Sequence, residues 1–323
     1  MSWNDLADKS LGGEALTQAE ALGVLHAPDE EVLALVDAAY RVRRRHFSKL
    51  VKLNFLLNSK SGLCPEDCNY CSQSKISEAG IEKYPFLSEK EILEAAGRAV
   101  KTQAKRFCMV NSGRGSTDGE IEQVSTAVQK VRASYPQLEV CVCLGLLAPH
   151  QAKALKTAGV HAYNHNLNTG ENYYSSICST HTYQDRVDTV NVAREQGLSS
   201  CSGCLFGMGE TDADIVELAF TMRKMNVDSI PINFLIPIAG TPLGSRGKLT
   251  PQKCLKILSL FRLMNPASEI RIAGGREVQL GWLQSLGLYI ANSIFIGDYL
   301  TTKGQEPEED LAMIADMGFE VVK

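Results

Sequence analysis

From Val51 onward, short apolar runs alternate with longer stretches whose apolar residues recur at helical spacing. Val51–Leu57 is an apolar run that predicts a first strand. Ser88, followed three residues later by Glu91, forms a capping box and opens a helix to about Gln103. The same alternation predicts further strands over 106–112, 138–145, 161–168, 199–206, 228–236, 269–273 and 289–296. Helices are predicted over 118–133, 149–158, 184–196, 212–225, 251–264, 280–286 and 307–317; Pro149 opens the second of these and Gly159 lies just past its end, while Gly197 lies just past the third. Strands that alternate with helices are joined by parallel crossovers. Eight such units predict an α/β fold, a closed (β/α)8 TIM-type barrel, with an open doubly wound sheet as the alternative.

The first 50 residues read as helices. Thr17 and Glu20 cap a short one through Leu22, with Gly23 just past its end, and Asp29 caps a longer one from Glu30 to about Ser48. The expected division is therefore a helical extension over 1–50 and a barrel domain over 51–323. The run Arg41-Val42-Arg43-Arg44-Arg45-His46 falls near the end of the second helix, where cations are favourable. It reads as a solvated face, or alternatively as a docking face for an acidic electron donor.

A net charge of −4, with 22% charged and 44% hydrophobic residues, is that of an ordinary globular chain and points to no nucleic-acid or membrane partner. No apolar run approaches the ~20 residues needed to span a bilayer. The first residues have neither an apolar signal core nor an Arg-rich character. A cytoplasmic location is the expectation. The 10 cysteines are clustered rather than spread as a disulfide framework, which suits metal ligation in a reducing compartment.

The densest group is Cys64, Cys68 and Cys71, in C-x3-C-x2-C spacing. Thiolates this close can converge on one iron–sulfur cluster. Three ligands to a 4Fe–4S cluster leave one iron open to a cofactor or substrate. The spacing is unusual for zinc, and no histidine follows at zinc-finger distance.

This loop follows the first predicted strand, at the end of the barrel where sites form. Other strand ends carry polar residues too. Asn164, Asn166 and Asn168 alternate along the fourth strand, although Asn is depleted in strands. On one inward face they offer amides to a polar ligand, while His165 points outward. Cys108, Cys141 and Cys201 fall in three other strands and raise the possibility of a second metal site. Cys143 shares a face with Cys141, whereas Cys204 has the opposite parity to Cys201 and is read as core. Gly203 to Glu210 form a Gly-rich turn around Leu205 that lets backbone approach a flat ligand. Arg271 alternates with Ala273 in the seventh strand, and a buried Arg there requires an anion or strong acceptors.

Taken together, these residues resemble the biotin synthases, a family of the radical S-adenosylmethionine superfamily. The likeness covers nearly the whole chain. It includes Ser61 through Ser74, Tyr163-Asn164-His165-Asn166-Leu167, Cys201-Ser202-Gly203, Ile232-Asn233, Gly240-Thr241-Pro242, Gly274-Gly275-Arg276-Glu277 and Ala291 through Phe295. The resemblance implies that Cys64, Cys68 and Cys71 hold a 4Fe–4S cluster with S-adenosylmethionine on its open iron. It implies that Tyr70, Ser112, Asn166, Asn168, Arg186 and the Leu205 turn hold S-adenosylmethionine, and that Asn164, Asn166 and Asn233 contact dethiobiotin. Cys108, Cys141, Cys201 and Arg271 match the ligands of an auxiliary 2Fe–2S cluster that donates sulfur. A homodimer and a flavodoxin- or ferredoxin-like electron donor are implied as well. Asn168 stands where some members carry Asp. Cys178 and Cys254 read as structural or incidental.

Overall fold

The computed structural model describes residues 2–323. Three helices come first: α1 (Trp3–Leu11), α2 (Gln18–Leu25) and α3 (Val32–Phe47). The alternating part runs β1 (Leu50–Lys60), α4 (Glu89–Lys101), β2 (Arg106–Asn111), α5 (Asp118–Ser134), β3 (Glu139–Cys143), α6 (Pro149–Thr157) and β4 (Ala162–Asn164). It continues with α7 (Glu171–Tyr174), α8 (Tyr183–Glu195), β5 (Ser199–Cys201), β6 (Cys204–Phe206), α9 (Asp212–Lys224), β7 (Ser229–Phe234) and α10 (Pro251–Met264). The chain ends with β8 (Glu269–Ile272), α11 (Arg276–Gln279), a 3-10 segment (Gly281–Tyr289), β9 (Ser293–Ile296), α12 (Pro307–Asp316) and β10 (Glu320–Val321).

All strand pairs are parallel, and β1 hydrogen-bonds both to β2 and to β9, which closes the sheet into the predicted barrel. Capping boxes at Thr17, Ser88, Thr117, Thr182 and Thr211 set the helix starts. In each, the side-chain oxygen satisfies an orphan backbone N–H, an arrangement that contributes about 1 kcal/mol. β10, which the sequence pattern did not mark, pairs with the start of β1 through Leu50↔Glu320 and Val51↔Val321.

Two apolar clusters follow from the period of two. The larger fills the layer between strands and helices. The smaller lies inside the barrel and contains Cys108, Cys141, Ala162, Ala273 and Phe295. Below it sits a layer of charge, in which Lys52 and Arg106 pair with Glu139 and Glu269. Among the described residues, no helix is long and apolar enough to cross a membrane.

Several expectations are corrected. α2 runs through Gly23 to Leu25. Asp29 caps no helix; it lies in a 3-10 turn and pairs with Lys256 at 2.6 Å. The basic run is not uniformly solvated. Arg43 is buried, donates to the carbonyls of Ala291 and Leu50 at 3.2 and 2.9 Å, and lies 4.4 Å from the Phe319 ring centre. Burial pushes its pKa down to about 10, and the carbonyl acceptors supply what a buried guanidinium needs.

The fourth and fifth strands are shorter than their pattern suggested. β4 stops at Asn164, and Asn168 adopts a left-handed conformation with φ of 71°. The predicted fifth strand is broken at Ser202-Gly203 into β5 and β6. Close packing explains the break: a Cβ on Gly203 would lie 2.1 Å from the Pro231 carbonyl oxygen. Irregular bonds, Asn168 N to Gly203 O at 3.1 Å and Leu205 N to Asn168 O at 2.7 Å, hold the two interrupted segments together.

Candidate active site

The C-terminal ends of the strands surround a cavity of about 290 Å³. Its wall combines groups from distant parts of the chain. Tyr70 and Cys71 come from the cysteine loop, Cys108 and Cys141 from β2 and β3, and Asn164, Asn166 and Asn168 from β4 and its continuation. Leu205, Asn233 and Arg271 complete the opposite side. Cys64, Cys68, Cys201, Ser112 and Arg186 are not part of this lining.

The three asparagines do share the cavity, but not as a regular strand face. Asn166 Oδ1 accepts from Asn164 Nδ2 and from Gly203 N, each at 3.0 Å. Asn168 donates to the Tyr70 hydroxyl at 2.6 Å, which ties the irregular end of β4 to the cysteine loop. Asn233 donates to the Cys204 carbonyl and accepts from Gly274 N, both at 3.0 Å. These bonds fix the amide orientations before any ligand arrives, as a precise site requires.

Cys64, Cys68 and Cys71 lie on the loop after β1. Burial pushes the Cys64 and Cys71 thiols up. The Cys178 contact and burial do the same for Cys68. Three thiols that resist ionisation on their own, with mutual repulsion between their thiolates, form a donor set that fits a cationic iron cluster, because a metal removes that penalty. Arg186 is buried behind Asn166, donating to its carbonyl at 2.7 Å and to His181 Nε2 at 3.1 Å through its own Nε. Ser112 turns its hydroxyl to the Gly62 carbonyl and so fastens the start of the loop.

A second donor set lies deeper. Cys108 is in register with Cys141, and Asn164 with Cys201. Arg271 places Nη1 3.8 Å from Cys201 Sγ, while Asn164 Nδ2 lies 3.2 Å from the same sulfur. Arg271 Nε donates to Ser293 at 3.2 Å and Nη2 donates to Ser229 at 3.0 Å and to the Glu269 carboxylate. Hydrogen bonding to Cys141, with the Arg271 and Arg106 charges, brings the Cys201 thiol down to about 5 against the opposing effect of burial. Thiolate character next to fixed cations is the chemistry of a sulfur-ligated metal centre. Cys204 belongs to the outer core and not to this interior group, in keeping with its opposite parity. Cys143 does line the cavity.

One contributor to the wall was not singled out in the sequence. The segment after β9 brings Tyr299, Leu300, Thr301 and Thr302 to the cavity wall, and Thr301 hydrogen-bonds Ser72 of the cysteine loop at 2.8 Å. Its signal was available: a polar, Gly-containing stretch follows the last strand at the end where barrel sites form. Cys178, expected to be structural or incidental, lies outside this lining with its sulfur 3.7 Å from Cys68. No pattern in the chain announces that proximity.

Comparison with known proteins agrees with this geometry. Residues 58–222 match the model of the radical SAM superfamily, and residues 231–320 match that of the biotin and thiamin synthesis associated domain. The chain is 53% identical over 319 residues to the biotin synthase of Bacillus subtilis, covering 99% of this chain and 95% of that protein. It is 53% identical over 318 residues to biotin synthase 2 of Frankia casuarinae, covering 98% and 88%. In fold, it resembles methylornithine synthase, with a TM-score of 0.85 at 21% identity over 98% of this chain and 97% of that one. It also resembles the FeFe-hydrogenase maturase of Carboxydothermus hydrogenoformans, with a TM-score of 0.81 at 18% identity over 99% and 79%. A barrel of this form, two cysteine sets around one cavity and sequence identity of this extent over almost its whole length place the chain in the biotin synthase family.

Proposed function

We propose that this chain inserts sulfur into dethiobiotin to form biotin, using S-adenosylmethionine. The observation that carries the reading is the position of the two cysteine sets. Cys71 of one and Cys108 and Cys141 of the other border a single cavity whose lining also includes Asn164, Asn166, Asn168 and Asn233. In this reading Cys64, Cys68 and Cys71 hold a 4Fe–4S cluster, and Cys108, Cys141, Cys201 and Arg271 hold a 2Fe–2S cluster. Bound there, these groups and S-adenosylmethionine supply an electron, a 5′-deoxyadenosyl radical and a sulfide.

The chain's own residues then have the tasks of binding, orienting and excluding water. Asn164, Asn166 and Asn233 bind the neutral ureido ring of dethiobiotin. Tyr70, Asn166, Asn168 and the Leu205 turn receive the nucleoside part of S-adenosylmethionine. Arg186 and Ser112 act from behind, by holding the Asn166 backbone and the loop at Gly62. Amides suit a radical site, since they bind without offering easily abstracted hydrogen. A flavodoxin- or ferredoxin-like reductant, a homodimeric state and a cytoplasmic location belong to the same proposal.

The test is anaerobic reconstitution with iron and sulfide, followed by reduction and addition of S-adenosylmethionine with dethiobiotin. The expected products are 5′-deoxyadenosine, methionine and biotin. Deoxyadenosine without biotin would refute the substrate assignment, and absence of deoxyadenosine would refute the radical chemistry.

A further inference from the structure

Cys178 has no part in the roles assigned above, yet it is placed for chemistry with a proposed cluster ligand. Its Sγ lies 3.7 Å from Cys68 Sγ, and both side chains are buried. The two segments are fastened together on either side of the pair. Asn69 N donates to the Ile177 carbonyl at 2.9 Å, and Asn69 Nδ2 to the Ser176 carbonyl at 3.0 Å. On the other side, Ser179 N donates to Asp67 Oδ1 at 2.9 Å and Asp67 N to Thr180 Oγ1 at 3.3 Å. The contact between the sulfurs is therefore held by the backbone rather than by chance rotamers.

His181 completes a compact triad with the two cysteines, which resembles a site for a single metal ion. The hydrogen bonds argue against one. His181 Nδ1 faces Glu66 Oε2 at 2.5 Å, and Nε2 faces Arg186 Nη2 at 2.7 Å. With one nitrogen on a carboxylate and the other on a guanidinium, the ring has no lone pair to give a metal. What remains is thiol–thiol chemistry.

We propose that in the cluster-free chain Cys68 and Cys178 are partners in a reversible disulfide. Hydrogen peroxide, as the two-electron oxidant, converts one thiol of the pair to a sulfenic acid with release of one water. The other sulfur then attacks the oxidised one, the S–O bond breaks, a second water leaves and a disulfide forms. The balance is two thiols and one peroxide giving one disulfide and two waters. The sulfurs must close from 3.7 Å to about 2.05 Å, a movement within reach of side-chain rotation between segments already hydrogen-bonded. The consequence is protective. A lone sulfenic acid proceeds to sulfinic acid, which dithiols do not reverse, whereas the disulfide is returned by a dithiol reductant. Cys68 is thus withdrawn when the cluster is lost and released for reloading under reducing conditions.

This inference rests on the proposed role of Cys68 as a ligand, and the experiment separates the two. Cluster-stripped full-length chain is treated anaerobically with one equivalent of hydrogen peroxide, alkylated and mapped by mass without reduction. A Cys68–Cys178 cross-linked peptide is expected. After dithiothreitol, iron and sulfide, the reduced 4Fe–4S electron paramagnetic resonance signal should return to that of protein never oxidised. Cys178→Ser should reconstitute normally when never oxidised, but given two equivalents of peroxide, the amount that sulfinic acid formation consumes, it should carry Cys68 sulfinic acid and recover at least about twofold less signal than wild type given the same dose. Cluster-loaded protein should give no cross-link. Wild-type Cys68 found as sulfinic acid beside a free Cys178 would overturn the proposal, as would full recovery by the oxidised variant. Should the variant fold poorly, the wild-type map alone decides. A missing resonance signal in never-oxidised wild-type protein would count against the ligand role, while the peptide map still reads the pair.

Discussion

The guanidinium of Arg271 is shared between Cys201 and Glu269: Nη1 lies 3.8 Å from the Cys201 sulfur, while Nη2 is ion-paired with the Glu269 carboxylate. Burial pushes the Glu269 carboxyl up, but Arg106, Arg271 and Lys52 together hold it well below the usual carboxylate range. Glu269 therefore stays charged and orients Arg271. Glu269→Gln should leave the buried Arg271 without its carboxylate partner and Arg106 with Glu139 alone, a change that costs about 3–5 kcal/mol. The expected readout is a lower unfolding midpoint and loss of most 2Fe–2S absorbance on reconstitution, with the reduced 4Fe–4S resonance signal retained.

Asn166 joins three parts of the cavity wall through one carbonyl oxygen, which accepts from Asn164 and from Gly203. Asn166→Ala removes both acceptor interactions and leaves two donors to find new partners. Losses of about 1–3 kcal/mol are typical for a buried group so stranded. Biotin formation should fall by at least about tenfold, with iron and sulfide content unchanged.

Gly203 is tight for a reason that a flexible side chain could not relieve, since the nearest atom is the backbone oxygen of Pro231. Gly203→Ala should destabilise the fold by about 1–3 kcal/mol. The change should shift the ends of β5 and β6 apart. Thermal unfolding followed by circular dichroism measures the first effect, and weaker S-adenosylmethionine binding reports the second.

His165 is buried with its Nε2 unpaired among the described residues, and burial, with the nearby Arg186 charge, holds its pKa well below 6.5. Folded chains keep it neutral while unfolded chains protonate it below about pH 6.5. The unfolded state thus binds more protons there, so this contribution to stability is intact above pH 6.5 and is lost as pH falls, by up to about 1.4 kcal/mol per unit. Denaturant unfolding between pH 7 and pH 5 should show a shallower loss for His165→Leu than for wild type. Equal slopes would refute it.

How far the chain could be read in advance depended on whether the governing interactions were local. Capping boxes at Thr17 and Ser88, and the alternation that built the barrel, act within a few residues and appear plainly in the sequence. Asn164, Asn166 and Asn168 were found by their spacing, although Asn168 reaches the cavity through a left-handed residue beyond the strand. The break between β5 and β6 follows from Pro231, which is distant in sequence from Gly203. Arg43 looks like its neighbours in the basic run, and only the carbonyls of Ala291 and Leu50 make it a core residue. Cys178 reads as structural or incidental for the same reason: its meaning lies in a contact 110 positions away.

The charged layer formed by Lys52, Arg106, Glu139 and Glu269 has a consequence for traffic. Arg106 and Glu269 are largely shielded from solvent, and their ion pairs span the barrel beneath the auxiliary cysteines. The vessel is thus stoppered at one end. Whatever enters the cavity from the other end must leave the same way, so spent molecules and fresh ones take turns rather than pass through.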